Sequence, residues 1–129
     1  MPTCAAESGR DEGHATAPGC REAVARFRLP EKLGFGQVIA PVMYSCEFDG
    51  KHWGSRQLLE YGPLLIHPGA RALQYAELVF EGMKAYRVGQ DQPNLFRVRD
   101  HWQRLANSSA RLSIPVLPWE LFLEGVEAM

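Results

Sequence analysis

At 129 residues and 46% hydrophobic content the chain has the size and apolar share of one globular domain. Fourteen Lys plus Arg against 15 Asp plus Glu leave a net charge of -1, so no basic field exists to draw nucleic acid or an anionic membrane. The longest apolar runs, such as Leu64 to Ile66 and Leu78 to Phe80, fall far below the roughly 18 residues of a spanning helix, and no membrane association is expected.

Cys4, Cys20 and Cys46 have no metal-type spacing, and an odd number cannot close a disulfide framework, which fits a reducing cytoplasm. The first ten residues lack the basic and apolar regions of a secretory signal. To about Gly19 the chain is dominated by Ala, Gly, Ser, Thr, Pro and charge, too little apolar surface to offset ordering entropy. Val24 and Phe27 stand at helical spacing, but Pro30 limits any helix there to about two turns. Residues 1–30 are thus expected to be a disordered or loosely docked tail, and 31–129 the folded domain.

The first convincing strand runs from about Gln37 to Phe48 and ends in Asp49-Gly50, a dipeptide favoured in hairpin turns, with Lys51-His52-Trp53 starting the return. Leu58 to Ile66 reads as short extended structure broken at Gly62-Pro63, and His67-Pro68-Gly69 forces a turn. From Ala70 the period changes: Leu73, Ala76, Glu77 and Phe80 recur at three and four residues, predicting a helix that Gly82 stops. Met83 to Val88 and Asn94 to Val98 read as a second hairpin around Gly89–Pro93. Trp102, Leu105, Ala106, Ser109 and Leu112 mark the stripe of an amphipathic helix with Asp100 near its amino end, ending before Pro115. Pro118 and Glu120 open a last helix that meets no stop signal before Met129, so the natural chain is expected to continue. This order predicts an α+β domain with an antiparallel sheet and flanking helices.

Beyond these elements, Tyr75-Ala-Glu-Leu-Val-Phe-Glu-Gly-Met-Lys-Ala-Tyr-Arg87 resembles the signature of branched-chain amino acid aminotransferases, in which four residues separate Tyr from Phe-Glu-Gly and a basic-aromatic strand follows. The resemblance extends upstream through Leu33-Gly-Phe-Gly-Gln-Val38 and Tyr61-Gly-Pro-Leu-Leu-Ile-His-Pro-Gly69. Downstream it includes Asn94-Leu-Phe-Arg97, His101-Trp-Gln-Arg-Leu105 and Ser108-Ser-Ala-Arg-Leu112. It covers about Leu33 to Met129. It implies the amino-terminal small domain of a fold-type IV, class IV pyridoxal-phosphate enzyme of the D-amino acid aminotransferase-like fold, truncated at the carboxyl end. Implied too are transfer of an amino group between leucine, isoleucine or valine and 2-oxoglutarate, and a homodimer in the full-length protein.

The same resemblance assigns the site residues. Arg104 matches the arginine that grips the phosphate of pyridoxal 5'-phosphate, a task suited to a planar guanidinium that bonds two oxygens at once. Without it, Arg104 reads as a solvated helix residue. Tyr75 and Phe80, expected near one helix face and otherwise readable as core, match the wall of the substrate side-chain pocket; Phe35 matches a further pocket aromatic. The family often continues after that point with Thr-Asp-His-Met, where this chain has Ala40-Pro41-Val42-Met43. Lys84 is a tempting Schiff-base candidate, but the family position holds Lys or Arg on a strand, and its Schiff-base lysine falls beyond Met129. Lys32 and Lys51 match nothing catalytic, so no catalytic residue is assigned and the chain alone is expected to be inactive. His67 reads as a structural turn residue. His14, His52 and His101 lack Cys, Asp or Glu partners at ligand spacing, so no metal site is expected. D-amino acid aminotransferases and aminodeoxychorismate lyases share the Phe-Glu element and the phosphate arginine and form the nearest enzyme alternative. A non-catalytic remnant or interaction module is the alternative of another class.

Overall fold

The computed structural model describes residues 13–32, 34–86, 89 and 93–129. Residues 1–12 of the expected tail, Leu33, and positions 87, 88 and 90–92 of the expected second hairpin lie outside the described residues. The chain forms two compact units, one reaching to Tyr61 and taking in Ala128–Met129, the other Gly62–Glu127.

In the first unit, β1 (Ala15–Thr16), α1 (Cys20–Arg26), β2 (Val42–Phe48) and β3 (Trp53–Glu60) make a small sheet of order β1-β3-β2 with one helix. The β2–β3 hairpin is antiparallel, from Val42 opposite Glu60 to Phe48 opposite Trp53. Asp49 closes its turn: one carboxylate oxygen accepts from the backbone N–H groups of Lys51 and His52, both at 2.7 Å, and Gly50 takes φ 99°. The expected strand from Gln37 therefore begins only at Val42, because Gly36 turns the chain at φ 69° and Pro41 precedes the ladder. The sheet also differs from the antiparallel expectation, since β1 pairs in parallel with β3, Ala15 opposite Gln57. Ala15 and Thr16, read from sequence as part of the tail, are strand residues, and α1 packs on this sheet with Cys20 buried and its thiol 3.4 Å from the Leu58 carbonyl.

The second unit holds α2 (Arg71–Tyr75), the paired strands β4 (Ala85–Tyr86) and β5 (Asn94–Leu95), α3 (Val98–Arg111) and α4 (Trp119–Ala128). The helix expected from Ala70 to Gly82 stops after five residues. Ala76 enters the left-handed region at φ 51°, the Glu77 N–H bonds the Arg71 carbonyl at 3.4 Å, and the Arg71 guanidinium pairs with the Glu77 carboxylate at 2.5 Å. The chain then runs without regular structure through Gly82. Helix α3 carries the predicted stripe only in part: Ala106 and Ser109 are buried and Trp102 and Leu105 half-buried, but Leu112 is exposed where the helix ends; the Ser109 hydroxyl donates to the Leu105 carbonyl at 2.9 Å. Its amino end is held by Asp100, paired with Arg97, and its carboxyl end turns off through Ser113 at φ 56°. Among the described residues no helix is long and apolar enough to cross a membrane.

Candidate functional site

The Phe80-Glu81-Gly82 motif lies on the extended segment between α2 and β4, and helix α3 brings two basic side chains to it. His101 and Arg104, three apart on α3, share one face. The Arg104 guanidinium meets the Glu81 carboxylate side-on: Nε donates to Oε2 at 2.9 Å and Nη2 donates to Oε1. Oε1 lies 3.0 Å from His101 Nδ1 and also accepts the Gly82 N–H at 3.1 Å. The Glu81 side chain is only 8% exposed, whereas that of Arg104 is 67% exposed. A carboxylate is thus sunk beneath a guanidinium that reaches outward. Arg104, followed by His101, holds the Glu81 carboxyl down from 4.5 to about 2, because both bond its charged form. The same pairing pushes the Arg104 guanidinium above its ordinary value.

The helix that carries these groups is braced on its other side. Trp102 Nε1 donates to the Leu117 carbonyl at 2.9 Å, and its ring stands edge-on to Trp119 with centroids 5.9 Å apart. Arg99 spans the two rings, its guanidinium carbon 4.8 Å from the Trp102 centroid and 4.4 Å from that of Trp119. The face bearing His101 and Arg104 is therefore fixed by contacts downstream of α3 as well as by Glu81.

Of the residues singled out in the sequence, Tyr75 ends α2 and Phe80 lies on the extended segment, so the two do not share a helix face. The early stop at Ala76 is the reason. Both rings are exposed, at 79% and 86%, which sets aside core packing within the described residues. Phe35 belongs to the other unit and is fully exposed, between Gly34 and Gly36 at the turn before β2. Lys84 is exposed just before β4. Among the described residues no three His, Cys, Asp or Glu side chains gather as a metal site.

Sequence reasoning gave Glu81 and His101 no role. Spacing along the chain could not join them, since they stand 20 residues apart; the only signal was that both fall inside motif blocks. Arg104, 23 residues from Glu81, is the one assigned residue of the site that the structure places in a cluster.

Chemically, a guanidinium has five N–H donors, and Glu81 engages two. The other three, including the parallel pair at the Nη1–Nη2 end, have no acceptor among the described residues. That end suits a phosphate or carboxylate.

No family profile matches the chain. Curated relatives do. Over 110 residues, 84% of the chain, it is 36% identical to a probable branched-chain-amino-acid aminotransferase of Staphylococcus aureus, covering 30% of that protein. Branched-chain-amino-acid transaminase 1 of Bacillus subtilis is 37% identical over 98 residues, 75% of the chain and 28% of the relative. The branched-chain-amino-acid aminotransferase of Mycobacterium tuberculosis is 37% identical over 105 residues, 81% of the chain and 28% of the relative. The chain spans about 30% of the length of the curated relatives it matches, and over that stretch its sequence is similar to those branched-chain-amino-acid aminotransferases.

Proposed function

We propose that this chain supplies the phosphate-holding side of a pyridoxal-phosphate transaminase acting on leucine, isoleucine or valine with 2-oxoglutarate as amino acceptor, in a cytoplasmic homodimer at full length. The observation that carries the reading is the outward guanidinium of Arg104, anchored by Glu81 on one edge and with no other acceptor among the described residues. Pyridoxal phosphate supplies the electron sink for amino-group transfer. The protein's part here is binding and orientation: Arg104 takes the phosphate oxygens through its end-on fork. Tyr75 and Phe80 offer apolar area to an aliphatic substrate side chain, whose binding is mostly burial. The lysine that bonds the cofactor is not among Lys32, Lys51 and Lys84, so the 129-residue chain does not transaminate alone.

The test uses the chain extended to its relatives' full length. Arg104→Ala lowers pyridoxal phosphate affinity about 10-fold to 150-fold, the worth of a charge-assisted bidentate contact of roughly 1.5 to 3 kcal/mol. Tyr75→Ala keeps the cofactor and raises KM for leucine. Cofactor titration by absorbance and leucine kinetics separate the two, and an Arg104→Ala protein that holds the cofactor like the parent removes the assignment.

A further inference from the structure

We propose that Glu81 is a positioning residue for anion capture: its carboxylate, seated between His101 and the side-on edge of Arg104, fixes the guanidinium so that the Nη1–Nη2 edge faces an incoming phosphate monoester. This rests on the phosphate assignment of Arg104 and adds to it the group that aims the arginine. Three observations carry it. Glu81 uses the Nε and Nη2 donors, which form the side-on edge of the planar guanidinium and leave the end-on edge for a second bidentate partner. The Glu81 side chain is nearly buried, and three further donors besides Arg104 Nε converge on its Oε1: the Gly82 N–H, His101 Nδ1 and Arg104 Nη2. The carboxylate is therefore itself held in place. Arg104 is two-thirds exposed, and a long exposed side chain samples many rotamers unless something arrests it, so the entropy of ordering it falls on phosphate binding when Glu81 is removed.

A competing effect is that Glu81 neutralises the charge that attracts phosphate. At the exposed guanidinium, Coulomb attraction is screened by water and salt, while the directional fork is lost outright with its anchor. Positioning wins, and removal of the carboxylate weakens phosphate binding although it makes the site more positive.

The experiment follows the Arg104 Nε–H resonance of the 129-residue chain during titration with pyridoxal 5'-phosphate, with pyridoxal as the control lacking phosphate. Phosphate is expected to leave the Nε–H on Glu81, its resonance protected from exchange and little moved. Glu81→Gln is expected to weaken pyridoxal 5'-phosphate binding about tenfold, on the order of one charge-assisted hydrogen bond, with pyridoxal unaffected and with no further loss in an Arg104→Ala background. A Glu81→Gln protein that binds equally or more tightly, or a phosphate that strips Nε–H from Glu81, overturns positioning while leaving Arg104 as the phosphate ligand. If Arg104→Ala binds like the parent, or the chain binds no phosphate, the underlying assignment falls and this proposal with it. Far-UV circular dichroism checks that Glu81→Gln is folded; if it is not, the parent's Nε–H titration decides alone.

Discussion

The β2–β3 hairpin and the segment from Ala70 to Gly82 are built from opposite kinds of information. Every constraint on the hairpin turn is local: Asp49 receives the N–H groups of residues two and three ahead, and Gly50 supplies the positive φ. The Ala70–Gly82 segment instead has a helical pattern that its contacts override, with Arg71 pairing to Glu77 and Glu81 captured by His101 and Arg104 from α3. A helix through residue 81 would swing the Glu81 carboxylate around with the turn. The Phe80-Glu81-Gly82 motif is therefore held extended by partners that sequence periodicity does not see.

That contrast is tested most severely at Trp102, which braces α3 by a hydrogen bond to Leu117 and a ring contact to Trp119. Trp102→Ala removes a half-buried ring, leaves the Leu117 carbonyl without this donor and frees Arg99 from one of its two rings. The expected cost is about 2 to 4 kcal/mol, or roughly 10 °C or more in melting temperature, with loss of exchange protection at Arg104 Nε–H. Val42→Ala in the hairpin sheet deletes two methyl groups from a buried site and costs about 1 to 2 kcal/mol. Equal effects of the two, by thermal unfolding, would deny α3 its organising part.

Elements were legible where the signal and the constraint were local. The Asp49-Gly50 turn, the Ala106 and Ser109 stripe of α3 and its end before Pro115 follow from residues within one or two turns of each other. The parallel strand Ala15–Thr16 was not legible, because its two small residues gain order only from Gln57 and Leu58 opposite. At the site, Arg104 came from motif resemblance, but its anchor did not; a carboxylate 23 residues away is invisible to spacing. Tyr75 and Phe80 were placed on one helix face by a period that Ala76 breaks.

Acid provides a smaller perturbation with a defined sign. The Glu81 carboxyl titrates near 2 in the folded protein instead of 4.5, with Arg104 the main cause and His101 the second. A lowered folded value contributes stability that is fully present above about 4.5 and is lost as pH falls toward 2. The parent's melting temperature should drop by several degrees more than that of Glu81→Gln over this window, and 1 M salt should shrink the difference because Arg104 is largely exposed. Parallel acid curves for parent and Glu81→Gln would mean that the pairing adds nothing to folding.

The smallest expected effect lies at Asp49, on the local side of the comparison. Its carboxyl is held below the usual carboxylate range by the His52 backbone N–H first and the Lys51 N–H second, yet the side chain is two-thirds exposed, so water replaces much of what the turn loses. Asp49→Ala should lower the melting temperature by about 2 to 5 °C and weaken amide protection at Lys51 and His52. Asp49→Asn keeps a side-chain oxygen at the same reach and should restore most of that protection without the charge. If Asn failed where Asp succeeds, the turn would depend on charge as the Glu81 cluster does, and the division between a hairpin written locally and a motif held from a distance would not stand at this position.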